Sequence, residues 1–514
     1  MMKKPNSALS LLLAALLFLT SCSGADEKDA PAENKTNPAE NNAAAENDNS
    51  ADADGQNGQN GAEAAQEASE PTASDLIRAR YKDTDLGGYV YRVMAPPPGG
   101  HFYQYGDNEI WADELNGEVV NDAIFNRNLS AEETLNIKIE PVWGGTDDSI
   151  SAGIHTGVLA GGVDFDAALN NMNHMGVNMQ NGDLLNLKNI SAIHMEDPWW
   201  DKNIVDSFTM FGSKLYWISG DINIYDDYAV EVIYFNKQVC TDGGMDYPYG
   251  TVLEGKWTID RFYEMAKTVE RDVNGDGTLD PAEDVVGHCE QNDHIIHWIY
   301  ALGEKSIDIA EDGTLMSRVG EDRHIRVIDT LYNYMVERQM SYTAGLGTLM
   351  GNRTLFAGNM LGMIGALRDM ESEFGIIPMP KLDEEQENYG EFVSNGWCTA
   401  YGIPMTNEDP ERTGVILDAL CGFSTETLRS ALYDTLFTAK YVRDEESVRM
   451  LDIIFASKMY DWAVGFPCGA VMDSIYTGIY KNRQNSFVSQ TAKMQKIIDK
   501  NLKDLVDTVA ALDY

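Results

Sequence analysis

Apolar and polar residues alternate with two different periods along the chain from about residue 76. Residues 89–95 alternate as in a half-buried strand, and residues 118–135 carry apolar side chains at near-helical spacing. A second strand is predicted at 137–142, a helix at 150–159 and a third strand at 165–170. This order of strand, helix and strand predicts an α/β protein with largely parallel sheets.

The same patterns continue to the C-terminus. Further strands are predicted at 215–219, 230–235, 361–366, 374–378 and 399–403, and further helices at 258–269, 323–338, 413–422, 445–456 and 487–506. A folded part of roughly 440 residues exceeds a single ordinary core, so two lobes are expected.

The N-terminus has the features of a secretory leader. Two lysines, Lys3 and Lys4, precede an apolar run over residues 8–19, which is too short to span a membrane. Residues 19–22 read Leu-Thr-Ser-Cys and resemble the bacterial lipobox. The resemblance implies a signal peptide over residues 1–21, cleavage before Cys22 and a diacylglyceryl group on its sulfur. The alternative is an ordinary signal peptide that happens to be followed by a cysteine.

Residues 22–75 are predicted to be an acylated cysteine followed by a disordered acidic tether. The segment is rich in Ala, Asn, Glu, Asp, Gln and Gly and lacks aromatic residues, so it cannot bury enough apolar surface to offset the entropy of ordering. We therefore expect a folded domain held at the membrane by its lipid anchor.

Charge and cysteine content narrow the possible partners. The chain has a formal net charge of −44, which makes a nucleic acid an unlikely partner and leaves neutral solutes and cations. Of its six cysteines, five remain if Cys22 is acylated, and they show no close-spaced metal or redox pattern. Most are expected to be small buried apolar residues, and no pairing can be deduced.

An acidic loop at 272–283 matches a Ca²⁺-binding pattern at every required position. Its predicted ligands are Asp272, Asn274, Asp276, Thr278, Asp280 and Glu283, and Gly277 permits the sharp turn at the sixth position. A sensor or a dockerin-like docking site is one interpretation, but dockerin-type modules use paired loops and the chain shows one. The preferred interpretation is a structural Ca²⁺ ion that holds a surface loop of the second lobe.

The order of several short motifs resembles the extracellular solute-binding lipoproteins of bacterial ABC importers, in particular the sugar-binding, family 1 branch. The motifs are Asp-Phe-Asp-Ala at 164–167, Gly-Asp-Leu-Leu at 182–185, Pro-Trp-Trp at 198–200, Lys-Leu-Tyr at 214–216, Tyr-Phe-Asn-Lys at 234–237, Gly-Lys-Trp-Thr at 255–258, Phe-Gly-Ile-Ile-Pro at 374–378 and Tyr-Gly-Ile-Pro at 401–404. Each motif is weak alone, whereas their order from about residue 89 to the C-terminal helix is much more specific.

The resemblance implies a two-lobed fold like that of periplasmic binding proteins, with a hinge and a ligand cleft between the lobes. Lobe 1 would comprise 76–224 and 375–425, and lobe 2 would comprise 225–374 and 426–514. The chain would cross between lobes near 221–228 and near 371–380. Such a protein performs no chemistry. It captures a solute, here a carbohydrate and most naturally an oligosaccharide, and delivers it to a membrane permease.

Candidate ligand residues follow from what sugar sites need, namely aromatic faces for stacking and polar groups for hydroxyls. Residues just after predicted strands or near the crossings are Asn171, Asp221, Tyr225, Arg368 and Trp397, and the Trp199–Trp200 pair follows a proline in a predicted loop. Each aromatic residue has core packing as its alternative role.

Other functions remain open at this stage. The sequence lacks a Gly-x-Ser-x-Gly elbow and a phosphate-binding loop, but a secreted carbohydrate-active hydrolase needs only two carboxylates. A binding protein for a peptide or a metal complex is a further alternative. His288, Glu290, His294 and His297 suggest a metal site, yet their spacing does not match a zincin helix.

Overall fold

The strand and helix patterns of the sequence fold into two sheets flanked by helices. The computed structural model describes residues 70–99, 108–290, 296–438, 445–466 and 469–512. The strands are β1 (Tyr89–Ala95), β2 (Ile137–Trp143), β3 (Ala167–Asn171), β4 (Glu231–Asn236), β5 (Val286–Glu290), β6 (Ile307–Ile309), β7 (Leu315–Ser317), β8 (Tyr342–Thr343), β9 (Thr354–Met360), β10 (Phe374–Ile377), β11 (Glu391–Phe392), β12 (Thr399–Gly402) and β13 (Lys458–Met459).

Helices separate most of these strands. They are α1 (Ala73–Arg80), α2 (Val119–Leu135), α3 (Asp147–Leu159), α4 (Met172–Gln180), α5 (Lys202–Phe208), α6 (Tyr225–Tyr228), α7 (Lys237–Asp242), α8 (Tyr249–Leu253), α9 (Ile259–Val269), α10 (Ile296–Ala301), α11 (Asp322–Leu331), α12 (Gly347–Met350), α13 (Pro410–Ser424), α14 (Ser430–Thr438), α15 (Glu445–Ala456), α16 (Gly469–Asn482) and α17 (Phe487–Ala511).

Sheet 1 has four strands in the order β12-β3-β1-β2. β1 is parallel to both β2 and β3, and β12 runs antiparallel to β3. The carboxyl ends of β1, β2 and β3 therefore share one edge, and residues that follow these strands meet there. The predicted parallel arrangement is confirmed for these three strands.

Sheet 2 has five strands in the order β10-β4-β9-β5-β8. β5 is parallel to β9 and β8, whereas β4 is antiparallel to both β9 and β10. The sheet is therefore mixed, and the expectation of largely parallel sheets is only partly correct. The short pairs β11–β13 and β6–β7 lie outside the two sheets.

Helix α9 shows how the sequence pattern produces the packing. The Thr258 hydroxyl caps its first turn by accepting from the Arg261 backbone N–H, as its position before the helix predicts. The buried face of α9 consists of Ile259, Phe262, Met265, Ala266 and Val269. The Phe262 ring stacks on Phe356 of β9 with centroids 4.7 Å apart, so the apolar stripe holds the helix on sheet 2.

Two predicted strands are wrong. Residues 215–219 are buried but form only isolated pairs, such as Ile218 with Tyr401, because a continuous apolar run does not distinguish a strand from a buried irregular segment. Residues 361–366 fall in a 3₁₀ helix, Leu361–Leu367, in which Leu361, Ile364 and Leu367 are buried. Their three-residue spacing is that of a 3₁₀ turn, and the strand precedes it as β9.

The chain passes from sheet 1 to sheet 2 in the segment before β4, as predicted for 221–228. The second crossing is misplaced in the prediction. Residues 371–380 contain β10, which pairs with β4 inside sheet 2, so the chain returns to sheet 1 between β11 and β12. Helix α14 also packs against α2 beside sheet 1, although residues after 425 were assigned to lobe 2.

The folded part begins earlier than predicted. Thr72 and Asp75 form a reciprocal capping box at the start of α1, and Glu426 accepts hydrogen bonds from the backbone N–H groups of Ala73 and Ser74. The predicted tether therefore ends before Thr72 and not at residue 75. The predicted signal peptide, Cys22 and the rest of the tether lie outside the described residues.

Two further expectations concern the described part alone. Within it, Cys240, Cys289, Cys398 and Cys421 are free and buried, as expected of small apolar side chains. A search of the same residues finds no helix long and apolar enough to cross a membrane.

Close packing of β5 on α9 gives a stability prediction. A Cβ at Gly287 would lie 2.5 Å from the Ala266 carbonyl oxygen, which is backbone and cannot move aside. We expect Gly287→Ala to lower the free energy of unfolding by about 1–3 kcal/mol through overpacking. Chemical denaturation of the wild type and the variant measures this change in the free energy of unfolding. The matched control is Gly250→Ala in α8, where nothing lies within 4 Å, and an equal loss in both variants would contradict the prediction.

Candidate functional site

The two crossings lie side by side and mark the candidate site between the sheets. The Ser394 N–H in the second crossing donates to the Ala229 carbonyl in the first at 3.2 Å. The Leu361 N–H, just after β9, donates to the Val230 carbonyl at 2.8 Å. Groups from both sheets therefore meet where the crossings touch. We call this region the interlobe face.

The sheet 1 side of the interlobe face is built on the carboxyl end of β3. Asn171 caps α4, because its side-chain oxygen accepts from the His174 N–H at 2.9 Å and contacts His174 Nδ1 at 2.8 Å. The other ring nitrogen lies 3.0 Å from the Asp148 carboxylate. Asn171 is buried, so its role in this geometry is to orient the half-exposed His174 ring, which presents the polar surface.

The second crossing supplies the aromatic group. Trp397 is half-buried, and its N–H donates to the Ser394 carbonyl at 2.9 Å. Backbone bonds from Met172 to Cys398 and from Asn173 to Asn395 tie this turn to the start of α4. Asn171 and Trp397, predicted from separate parts of the sequence, are therefore brought to one location.

The sheet 2 side carries carboxylates that were not predicted as ligand groups. Glu231 opens β4 and is half-buried. Burial raises the pKa of Glu231, and the nearby Glu290 carboxylate adds to the increase while His297 opposes it. The one available signal was a glutamate in an otherwise apolar strand pattern at 230–235.

Glu290 and His297 form a buried ion pair at 2.9 Å beside Glu231. Glu290 also accepts from the Trp298 indole N–H at 2.8 Å. Burial acts to raise the pKa of Glu290, but His297 and His288 outweigh it and leave that pKa lowered. Burial acts to lower the pKa of His297, but Glu290 outweighs it and leaves that pKa raised. The pair is therefore held ionised.

Trp199 and Trp200 lie in the core. They are 1% and 3% exposed, and each indole nitrogen is 3.4 Å from the buried Asp418 carboxylate. Both residues also line a cavity of about 420 Å³, and their role as ligand groups stays a prediction. A proline-flanked pair of tryptophans in a loop did not reveal this burial, because nothing in the sequence shows which chain segments cover the loop.

Asp221 lines the same cavity as Trp199 and Trp200, whereas Tyr225 and Arg368 do not. Asp221 is bound by Thr425 at 2.7 Å and by Arg429 at 3.2 Å, and Tyr225 is 3% exposed against Tyr228. Arg368 is exposed at the end of the 3₁₀ helix. Their role as ligand groups stays a prediction, and the structure does not bring these three to the Trp397 turn.

A buried glutamate holds the crossings in place. Glu109 is fully buried and accepts from the N–H groups of Ile224 at 2.6 Å and Tyr225 at 3.1 Å, and from the Thr399 hydroxyl at 2.8 Å. Burial raises the pKa of Glu109, while these donors act to lower it. The carboxyl group thus fastens the first crossing to β12, a link between residues 290 positions apart that sequence reading could not find.

The histidine-based metal hypothesis has no support among the described residues. His288 is fully buried against the rings of Phe262 and Trp298, and burial lowers the pKa of its imidazole to about 4. His294 lies outside the described residues. Within the described part, one triad, His194, Asp197 and Asp418, brings such ligand atoms within 4.8 Å of one another.

That triad already holds a cation. The Arg80 guanidinium lies 2.7 Å from Asp197, 2.7 Å from Asp418 and 3.1 Å from His194 Nδ1. The three groups therefore form an ion-pair cluster that fixes α1 against α13, and the cluster needs no metal.

The acidic loop at 272–283 folds around its own side chains. The Asp272 carboxylate accepts from the N–H groups of Gly275 at 2.6 Å and Gly277 at 2.8 Å, and Gly277 has φ 84° as the pattern requires. The Asn274 amide donates to Glu283 at 2.6 Å and to Asp276 at 3.4 Å. An amide N–H₂ thus lies among oxygens that the Ca²⁺ pattern assigns to the ion.

A thirteenth residue, Asp284, closes the loop and was not predicted. Its carboxylate accepts from the N–H groups of Val273 at 2.8 Å and Asp280 at 2.9 Å, which joins the two ends of the loop. Turning the Asn274 amide over would present its oxygen to the same space. The donor set of carboxylates and amide oxygen suits a hard cation.

The Glu290–His297 pair gives a pH-dependent stability prediction. The folded-state pKa of His297 is raised above 6.5, so its stabilisation is complete below that pH and is lost as pH rises through the folded value. The pKa of Glu290 is lowered below 4.5, so its contribution is lost as pH falls through its folded value. We expect His297→Gln to cost about 1.5–3 kcal/mol between pH 4.5 and 6.5, and less at higher pH.

Thermal melts from pH 4.5 to well above pH 6.5, with His155→Gln as control, measure the effect. The His155 side chain is 41% exposed beside Asp183, so its replacement is expected to cost under about 1 kcal/mol. A His297→Gln penalty that is independent of pH would contradict an ionised pair.

Comparison with known proteins identifies the architecture. No protein-family model and no curated protein matches the sequence. Among solved structures, a cyclo/maltodextrin-binding protein complexed with maltotetraose matches at TM-score 0.52 and 14% identity, over 82% of this chain and 96% of that one. A Rhizobium etli sugar transporter in an open conformation matches at TM-score 0.51 and 14% identity, over 82% of this chain and 100% of that one.

A third structure has the same fold. UgpB from Mycobacterium tuberculosis, in complex with glycerophosphocholine, matches at TM-score 0.51 and 13% identity, over 81% of this chain and 99% of that one. The chain therefore has the two-lobed, periplasmic-binding-protein-like α/β fold that these structures share.

Proposed function

We propose that the protein is a lipid-anchored solute receptor that captures a carbohydrate and delivers it to an ABC transporter permease. The interlobe face carries the proposal, because backbone hydrogen bonds join the turn that bears Trp397 to Ala229, two residues before Glu231. The half-buried Trp397 would provide a stacking face, and the half-buried Glu231 would provide an acceptor for hydroxyl groups.

The ligands and descriptions of the structural neighbours support a sugar. One neighbour was solved with maltotetraose and another is described as a sugar transporter. A third holds glycerophosphocholine, so the fold also serves other polar solutes. The choice of carbohydrate for this chain rests on the combination of Trp397 with neutral and acidic hydrogen-bonding groups.

We propose binding without catalysis. The Glu290 carboxylate already pairs with His297 and accepts from the Trp298 indole N–H. It is therefore arranged as a fixed acceptor. Hinge closure about the two crossings would convert ligand contacts into a shape that the permease recognises. Attachment through Cys22 and the acidic segment after it would hold the receptor at the extracytoplasmic face of the membrane.

A ligand screen tests this function. We expect an oligosaccharide to raise the melting temperature by mass action and to bind stoichiometrically in calorimetry. Trp397→Ala should weaken that binding by about tenfold or more, since a stacked aromatic contributes on the order of 1–3 kcal/mol. The control is Tyr247→Ala, an exposed ring beside Tyr249 in the second lobe, which should leave affinity unchanged.

The same screen separates the alternatives. A stoichiometric peptide or metal-complex ligand would replace the carbohydrate as the proposed solute. Hydrolysis of any member of a glycan panel, with no stoichiometric binding, would overturn the receptor proposal in favour of a secreted hydrolase.

We also propose that the loop at 272–283 binds a structural Ca²⁺ ion. The supporting features are the full ligand pattern, the left-handed Gly275 and Gly277, and the inward side chains of Asp272, Asp276 and Glu283. Because the loop follows α9 directly and leads into β5, an ion here would stabilise the start of β5 in sheet 2.

Chelation tests the Ca²⁺ proposal. We expect removal of Ca²⁺ to lower the melting temperature of the wild type, and Asp276→Ala to lower it and to abolish the chelator effect, without loss of carbohydrate binding. The control is Asp312→Ala. Asp312 accepts from the N–H and hydroxyl of Thr314, the same local turn that Asp276 makes with Thr278, but outside the acidic loop. A melting curve that chelator leaves unmoved would refute the site.

A further inference from the structure

A cavity lies beside the first crossing and includes Asp221 and Asp226 among its lining residues. Its volume is about 420 Å³, within the range of small-molecule sites. Its walls come from the Trp199–Asp201 segment, the first crossing, the segment between α13 and α14, helices α14 and α15, and β13. Asn171, Trp397, Glu231 and Glu290 are not among its lining residues.

The base of this cavity is an ion cluster with surplus negative charge. The Lys458 ammonium lies 2.7 Å from Asp201, 3.0 Å from Asp226 and 3.0 Å from Asp227. The Arg429 guanidinium lies 3.2 Å from Asp221 and 3.5 Å from Asp227. Four carboxylates thus face two cations, and the exposed Asp452 adds a fifth at the rim.

One buried oxygen in the cavity wall has no partner. Asp226 is 2% exposed, and its Oδ2 binds Lys458, but its Oδ1 has no hydrogen-bond partner among the described residues. A buried carboxylate oxygen without a donor costs free energy unless something supplies one. The cavity beside it is large enough to hold the molecule that does.

We propose that this cavity binds a small organic cation, with a protonated primary amine donating to Asp226 Oδ1. The ammonium would satisfy the orphaned oxygen and offset the carboxylate surplus. Aromatic side chains at the wall, Tyr433 and Phe455, provide apolar contact for the carbon chain, although each already packs against Arg429. A metal ion is disfavoured, since the described carboxylates here do not converge as a metal requires.

Affinity for such a cation should rise with pH. Burial raises the pKa of Asp221 to about 6, so acidification from pH 7.5 to pH 5 neutralises this carboxylate and reduces the negative charge of the cavity. The groups that face Asp221 and Asp226 from the neighbouring elements are Asp201, Asp227, Arg429, Tyr433, Asp452 and Lys458. Binding near pH 5 should be several-fold weaker than near pH 7.5.

Calorimetry with 1,4-diaminobutane, 1,4-butanediol and succinate tests the proposal on the full chain. These probes share a four-carbon length and differ in charge. Of the three probes, we expect only the diamine to bind. Asp226→Asn should weaken diamine affinity by about tenfold, and Asp452→Asn, at an exposed position, should weaken it by about threefold. The control, Asp206→Asn, removes an exposed carboxylate on α5 that does not line the cavity.

Several outcomes overturn the proposal. These are failure of the diamine to bind at millimolar concentration, equal binding of the diol or the dianion, and diamine affinity unchanged in both Asp226→Asn and Asp452→Asn. Competition between the diamine and the carbohydrate would place the cation at the interlobe face and not in this cavity. Carbohydrate binding that persists without diamine binding would leave the receptor proposal intact.

Discussion

The buried ammonium of Lys458 joins three parts of the chain that the sequence keeps far apart. It pairs with Asp201, which also caps α5, and with Asp226 and Asp227 of the first crossing. Lys458 itself lies on β13, which pairs with β11 just before the second crossing. Burial acts to lower the pKa of Lys458, but these carboxylates outweigh it and leave that pKa raised, so the charge is retained. Removing the Lys458 ammonium would leave these buried carboxylates without their cation, a change that typically costs several kcal/mol.

This cluster and Glu109 give the crossings a fixed base. Glu109 binds the backbone of the first crossing and the Thr399 hydroxyl of β12, while Lys458 binds the first crossing from the side of β13. A hinge needs segments that bend between parts that do not. Rigid polar contacts at the crossings would confine bending to a few residues, so that closure brings the two sides of the interlobe face together in one register.

The two sides of the interlobe face differ in how they hold their polar groups. On the sheet 1 side, the Asn171 side chain caps α4 and orients the His174 ring. On the sheet 2 side, an ionised Glu290–His297 pair is fixed behind Glu231. On the sheet 1 side, a buried residue thus fixes the orientation of a more exposed one. A pre-oriented site of this kind loses less conformational freedom when it takes up a ligand.

Sequence alone determined the local features of this protein. Strand and helix periodicity located β1, α2, α9, α15 and most other elements, because those patterns depend on neighbours within one turn or one strand. The capping Thr258 and the turn glycines of the acidic loop are equally local. The order of motifs indicated the two-lobed fold. The assignment of 371–380 to a crossing was wrong, because the sequence of a strand does not show which other strand it pairs with.

Tertiary structure decided which residues meet and which are covered. Trp199 and Trp200 were candidate cleft residues with core packing as the alternative, and the structure leaves them 1% and 3% exposed with Asp418 of α13 at their indole nitrogens. Glu109, Glu231 and the Lys458 cluster became visible only when strands distant in sequence came together. Burial, pairing and pKa depend on contacts across hundreds of residues, whereas periodicity and capping depend on a few. That difference in range is why the fold could be anticipated and the site could not.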